Sequence, residues 1–278
     1  MRSSCAVVRC YSVAAMRSPN GRLFLVLWLA GMSGVMSLLL VDLPALIAVL
    51  PQPQGAPPPE LPPPALLKLV TLIQPAVLTS FAVLIGIWLA QRVGLHATVA
   101  EAIAERKPFM PALLHQFLPG VIPGLLSGVA IVLSWIIAKP FLPVEFLSKA
   151  DEFNRLIPHA VRLLYGGFTE EILLRWGLMT FLVWLPWQLF QRGANPPRAI
   201  YFVAAIVVSS VVFGIGHLPI ASALAGGLTI PVVAYVVTAN SIFGIVAGFL
   251  YWRRGLESAM FAHMFAHVVL IAAIGLAL

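Results

Sequence analysis

Apolar runs long enough to cross a bilayer recur along nearly the whole chain, and that feature removes most folds from consideration. A membrane span needs about 20 mostly apolar residues. Residues 23–41, 66–90, 116–138, 199–216, 228–251 and 256–277 each qualify. In lipid every backbone polar group must be satisfied internally, so such runs fold as helices. The 278 residues are 60% hydrophobic and 10% charged, with a mean hydropathy of +0.98. A soluble domain needs more polar surface than that. The expected fold class is all-α, a polytopic transmembrane helix bundle of about seven to eight helices.

The count is open at residues 157–190, which are too long for one simple span. They read as one tilted helix, or as two joined near Gly166–Gly167 or Trp176. Residues 1–22, with Arg2, Arg9, Arg17 and Arg22, read as a disordered basic tail. Arg9 interrupts its only apolar stretch, which argues against a cleaved signal peptide, and Met16 is an alternative start. Cys5 and Cys10 lie in this tail and match neither a disulfide framework nor a metal spacing. Residues 23–155 form a first set of membrane helices with a proline-rich extended loop at 51–64; residues 156–278 form a second unit. Within the first set, 91–115 suit a short surface helix and 139–156 a polar loop. Gly120, Gly124 and Gly128 recur every four residues, as do Gly244 and Gly248, which predicts close helix packing.

The net charge of +7 resides in the loops and does not indicate a nucleic-acid partner. Lys and Arg concentrate in cytoplasmic loops. Under a seven-span count the N-terminus, the loop with Arg92, Arg106 and Lys107, the Arg192–Arg198 loop and Arg253–Arg254 are cytoplasmic, while Lys139 and Lys149 lie outside. The expected location is a bacterial inner membrane, with the N-terminus cytoplasmic and the lipid bilayer as a partner.

Most acidic residues fall in loops or at helix ends. Asp42 ends a span and reads as structural. Glu170 and Glu171 lie inside an apolar stretch, where an ionisable group costs roughly 2.5–3.5 kcal/mol on insertion scales and marks function by default. Arg175 follows Glu171 by four residues, so the two face each other on a helix and read as a buried structural pair. Glu170 points about 100° away and needs a partner elsewhere. His96, His115 and His159 read as ordinary surface histidines. His217 ends a span, four residues after Phe213, and His263 and His267 share a face of the last helix. Glu170, His217, His263 and His267 form a set able to hold a water or a divalent metal such as zinc. A glutamate in an apolar setting suits a general base, and histidines can share the water or donate to an oxyanion. Ser209–Ser210 have no acid to complete a triad.

At these residues the sequence resembles the CPBP family, the CAAX proteases and bacteriocin-processing, Abi-like enzymes also called type II CAAX prenyl endopeptidases. Two glutamates, three residues and an arginine appear as Glu170-Glu171-Ile172-Leu173-Leu174-Arg175. Phenylalanine, three residues and a histidine appear as Phe213 to His217, and the third motif starts at His263. Tyr251-Trp252-Arg253-Arg254-Gly255 also looks like the family. The resemblance covers about residues 160–275. It implies a helical membrane protease with a polar site opening to the cytoplasm. It implies that Glu170 and His217 activate the hydrolytic water, while His263 and the residue at 267 support the oxyanion, with Glu171, Arg175 and Phe213 in support. The family name says metalloprotease, and the metal candidates are the same Glu170, His217, His263 and His267. Position 267 departs from the pattern: it is histidine where the family has asparagine or aspartate.

The leading expectation is an intramembrane endopeptidase acting on a membrane-associated protein or peptide. The alternative is a non-catalytic scaffold or immunity-type membrane protein that retains the fold. A transporter using Glu170 as a proton relay is a third reading, against which no internal repeat is visible.

Overall fold

The computed structural model describes residues 19–50 and 62–276. The basic tail before Pro19 and most of the proline-rich stretch lie outside the described residues, as do Cys5, Cys10 and Met16. Eleven helical elements follow in order: α1 (Pro19–Ser37), α2 (Leu43–Val49), α3 (Pro64–Leu89), α4 (Thr98–Ala104), α5 (Met110–Ala138), α6 (Val144–Leu156), α7 (His159–Gln191), α8 (Ala199–Gly216), α9 (Leu218–Ala225), α10 (Ile230–Arg253) and α11 (Leu256–Gly275). No strand occurs among the described residues. Seven segments are long and apolar enough to cross a membrane, and the chain is an integral membrane protein. The outward faces of α3 and α5 expose Leu69, Phe81, Leu126 and Ile137, side chains suited to lipid.

The spans alternate in direction, so the connections sort onto two faces. On the face where α1 begins lie α4, Arg106 and Lys107, the Arg192–Arg198 loop and Arg253–Arg254. The buried Glu257 carboxylate ties this face together, accepting from the backbone N–H groups of Val99 (3.0 Å) and Ala100 (2.9 Å) at the start of α4. The opposite face carries α2, α6 and α9. Asp42 caps α2 through the Ala45 N–H at 3.1 Å, the structural role its position suggests.

Residues 139–156 are not the expected loop. After a 3₁₀ turn they form α6, whose charges pair along its outer side (Lys149 with Glu152, Arg155 with Asp151). Its inner side buries Phe146 and Ala150, one helical turn apart, against Ala221 and Leu224 of α9 and Val232 of α10. The sequence reading weighed the charges and missed the apolar stripe between them.

Residues 159–191 form one continuous helix rather than two. Most of it is wound as π-helix, over Arg162–Glu170 and Ile172–Met179. The i→i+5 pattern is wider and is associated with functional sites. Thr180 supports it by donating from Oγ1 to the Arg175 carbonyl at 3.2 Å.

Glycines set the helix spacing. A Cβ on Gly124 would stand 2.5 Å from the Ala262 carbonyl oxygen and 2.7 Å from its Cα. Gly120 and Gly128 meet the same helix, α11, and Gly244 and Gly248 meet α8, as their spacing predicts. Gly124→Val is therefore expected to lower thermal stability in detergent by about 1–3 kcal/mol, the usual cost of overpacking. Gly275→Ala, whose Cβ would meet nothing within 4 Å, is the control and leaves stability unchanged.

Candidate active site

Three helices deliver the polar side chains. α7 brings Glu170, Glu171 and Arg175, α11 brings His263 and His267 from one face, and α8 ends in Phe213 and His217. α10 supplies Phe243 and Gly244.

Arg175 and Glu171 are both fully buried, and Arg175 Nε lies 3.3 Å from Glu171 Oε2. The contact is an ion pair whose angle is not that of an aligned hydrogen bond. Arg175 also donates from Nη2 to the Gly244 carbonyl at 3.2 Å. Its guanidinium lies against the rings of Phe213 (5.5 Å) and Phe243 (5.8 Å), which themselves meet edge-on. The expected structural pair is present, and Glu171 does more. Its other oxygen, Oε1, lies 2.8 Å from Nδ1 of His263. An ionised carboxylate can only accept, so Nδ1 carries a proton and donates it.

The second nitrogen of the same ring faces the second glutamate. His263 Nε2 lies 3.6 Å from Glu170 Oε2. The two carboxylates thus bracket one imidazole, although on an α-helix they would diverge. Glu170 is 19% exposed, whereas Glu171 is fully enclosed.

His267 stacks on His263, with ring centroids 4.9 Å apart and planes inclined by 12°. Both rings rest on the bare backbone of Gly166, where a Cβ would come within 2.7 Å of His267 Nε2 and 3.1 Å of His263 Nε2. His267 Nδ1 is buried without a hydrogen-bond partner. His217 is half-buried and joins the group through Phe213. Its Nδ1 lies 2.9 Å from the Phe213 carbonyl, and the Phe213 ring meets His217 edge-on at 4.8 Å and His263 at 5.9 Å. Glu170, Glu171, His263 and His267 are thus brought together directly, and His217 through Phe213. Among the described residues, no hydrogen bond or ion pair joins His217 to Glu170.

The metal candidates are Glu170, His217, His263 and His267. Among the described residues, no three His, Cys, Asp or Glu side chains converge to hold an ion.

A closed layer separates these groups from the face where α1 begins. Trp176, Met179 and Thr180 are 0% exposed and Tyr251 is 1%. Thr180 Oγ1 and Tyr251 Oη share a hydrogen bond of 2.8 Å. Toward the opposite face lies Arg162, which donates to the Asn154 carbonyl (2.6 Å) and side chain (3.2 Å) at the end of α6.

The grip of Glu171 on His263 spans 92 residues of sequence, and no local spacing announces it. Phe243 was also missed, although it lies 4.2 Å from the His263 ring. Its only sequence signal is its place next to Gly244, on a helix already read as close-packed. The surface histidines behave as expected: His96 pairs with Glu101 at 3.5 Å, and His115 and His159 are exposed.

Residues 152–269 match the family model described as type II CAAX prenyl endopeptidase Rce1-like. The match is consistent with the CPBP family and contains all three motifs; it leaves residues 19–151 outside. No curated protein and no solved structure matches the chain.

Proposed function

We propose that the chain is an intramembrane endopeptidase that hydrolyses a peptide bond of a membrane-associated protein or peptide with a water activated by Glu170 and His217. The observation that carries this reading is the bracketing of His263 by Glu171 on one ring nitrogen and Glu170 on the other. Structural burial of an ion pair calls for Arg175 and one carboxylate; it does not call for a second carboxylate aimed, partly open, at the same imidazole.

Glu171 holds His263 through Nδ1, which fixes the orientation of the ring and leaves Nε2 toward Glu170. In the proposed reaction His263, when protonated on Nε2, donates to the developing oxyanion. His217 donates from Nδ1 to the Phe213 carbonyl, which leaves its Nε2 with a lone pair able to accept from water. In the proposed reaction, Glu170 takes a proton from the water, whose oxygen bonds to the scissile carbonyl carbon. The carbon–nitrogen bond then breaks as the leaving nitrogen receives the proton from Glu170. The products are a carboxylic acid and an amine, and no covalent enzyme intermediate forms.

The test is cleavage of membrane peptides by purified wild type and Glu170→Gln. The variant is expected to elute and melt as wild type does and to have lost hydrolysis. Equal activity in the two would refute the reading. The presence of histidine at 267, where the family has asparagine or aspartate, favours the scaffold alternative, and a partner-binding function indifferent to Glu170→Gln would support it.

His267→Asn separates two chemistries. With a metal-free water, the asparagine amide donates in the place of the imidazole, and activity is expected to stay or rise. In a zinc site, asparagine is a poor ligand and both metal and activity fall. Hydrolysis and bound metal are measured on the same preparation, and retained activity is the expected result.

A further inference from the structure

We propose that Tyr165 is a further catalytic residue of the same site: its hydroxyl donates a hydrogen bond to the scissile carbonyl oxygen as that oxygen gains charge, beside the donor on His263. The proposal rests on the protease reading above.

Spacing along α7 places the ring. Tyr165 precedes Glu170 by five residues within Arg162–Glu170, the first stretch with i→i+5 hydrogen bonds. On an α-helix residues five apart diverge by about 140°; in the wider winding five residues complete roughly one turn. Leu164 and Thr169, also five apart, show the result. A Cβ on Gly34 of α1 would meet the carbonyl oxygen of Leu164 at 2.5 Å and the hydroxyl of Thr169 as well. Tyr165 and Glu170 each follow one of that pair, so they too share a side of α7. The Glu170 carboxylate acts electrostatically on the phenol. The next residue, Gly166, is the bare backbone on which the rings of His263 and His267 rest. Tyr165 thus adjoins both the proposed base and the proposed oxyanion donors.

The hydroxyl itself is uncommitted. A buried tyrosine usually bonds through its O–H, as Tyr251 does with Thr180 at 2.8 Å. Tyr165 is half-buried, and among the described residues its hydroxyl has no hydrogen-bond partner. Packing alone calls for the ring and not for the hydroxyl. Position 267 gives the donor a task. The family has asparagine or aspartate there, whereas this chain has a histidine stacked on His263, with its Nδ1 buried and unpartnered. A phenol next to Gly166 brings a neutral donor to the place where the amide is missing. In the reaction the hydroxyl keeps its proton. The water oxygen bonds to the carbonyl carbon, the carbonyl π electrons pass to oxygen, and the hydrogen bond stabilises that oxygen until the carbon–nitrogen bond breaks. No bond to the tyrosine forms.

The test uses the full chain and a membrane peptide that wild type cleaves and Glu170→Gln does not. Tyr165→Phe is expected to elute and melt as wild type does, to keep KM, and to lower kcat per folded molecule by about 10²-fold, the scale of losing one oxyanion donor. An unchanged kcat overturns the assignment. So does a raised KM with kcat unchanged, which marks a ground-state contact. Tyr165→Leu, read on the monodisperse fraction, removes the ring as well. If the ring alone matters, only the leucine variant loses activity; the proposal requires the same fall in kcat in both. Equal cleavage by wild type and Glu170→Gln refutes the protease reading and this proposal with it. Cleavage that depends on Glu170 but not on the Tyr165 hydroxyl refutes this proposal alone.

Discussion

Arg175→Ala is expected to leave little folded protein in the membrane and no measurable hydrolysis. The guanidinium is fully buried and faces the Glu171 carboxylate at 3.3 Å. Its removal leaves a buried carboxylate without its cation, and breaking a buried pair on one side costs about 3–5 kcal/mol. The Gly244 carbonyl loses its donor. Phe213 and Phe243 lose the cation that lies against both rings. Total stabilities of 5–15 kcal/mol are typical of folded domains, so a loss of this size removes much of the margin. Folded yield by fluorescence-detected size exclusion reads the effect. Arg175→Lys retains a charge but not the planar fork, and is expected to recover part of the yield. Normal yield of Arg175→Ala with catalysis selectively lost would instead make Arg175 a catalytic group.

That pair was legible in advance because its spacing is local: four residues on a helix fix the relation of Glu171 to Arg175. Gly120, Gly124 and Gly128 were legible for the same reason, since a face of small residues implies close approach whatever helix lies opposite. Which helix that is, and how it is rotated about its axis, is a property of packing. The contact of Glu171 with His263 depends on that rotation. So does the fact that Glu170 and Glu171 meet the same ring, which also approaches the bare backbone of Gly166. Hydropathy carries no information about either. α6 was missed for a different reason: at the membrane surface an amphipathic helix keeps its charges, and those charges masked the spacing of Phe146 and Ala150. Glu257 looked like an ordinary helix-end acid, because the α4 backbone it caps lies about 157 residues away in the chain.

Glu171→Gln should separate positioning from folding more cleanly than any change at Arg175. The amide has the size of the carboxylate but one acceptor and one two-hydrogen donor. If its oxygen takes the His263 Nδ1 proton, its nitrogen faces Arg175, donor against donor. If it turns over, its nitrogen faces His263 Nδ1, and the imidazole is forced to carry its proton on Nε2 as a neutral ring. Neither arrangement reproduces the present one, in which Glu171 accepts from His263 with one oxygen and pairs with the charge of Arg175 through the other. The variant also removes one of the two carboxylates that face His263, the proposed oxyanion donor. An orienting carboxylate acts through the general acid–base term, worth about 10²–10⁴-fold, and a fall in kcat of that order is the expected result. KM should change little, because Glu171 is fully enclosed and does not reach the peptide. A purely structural role for Glu171 makes the opposite prediction: kcat per folded molecule stays the same while the amount of folded protein falls.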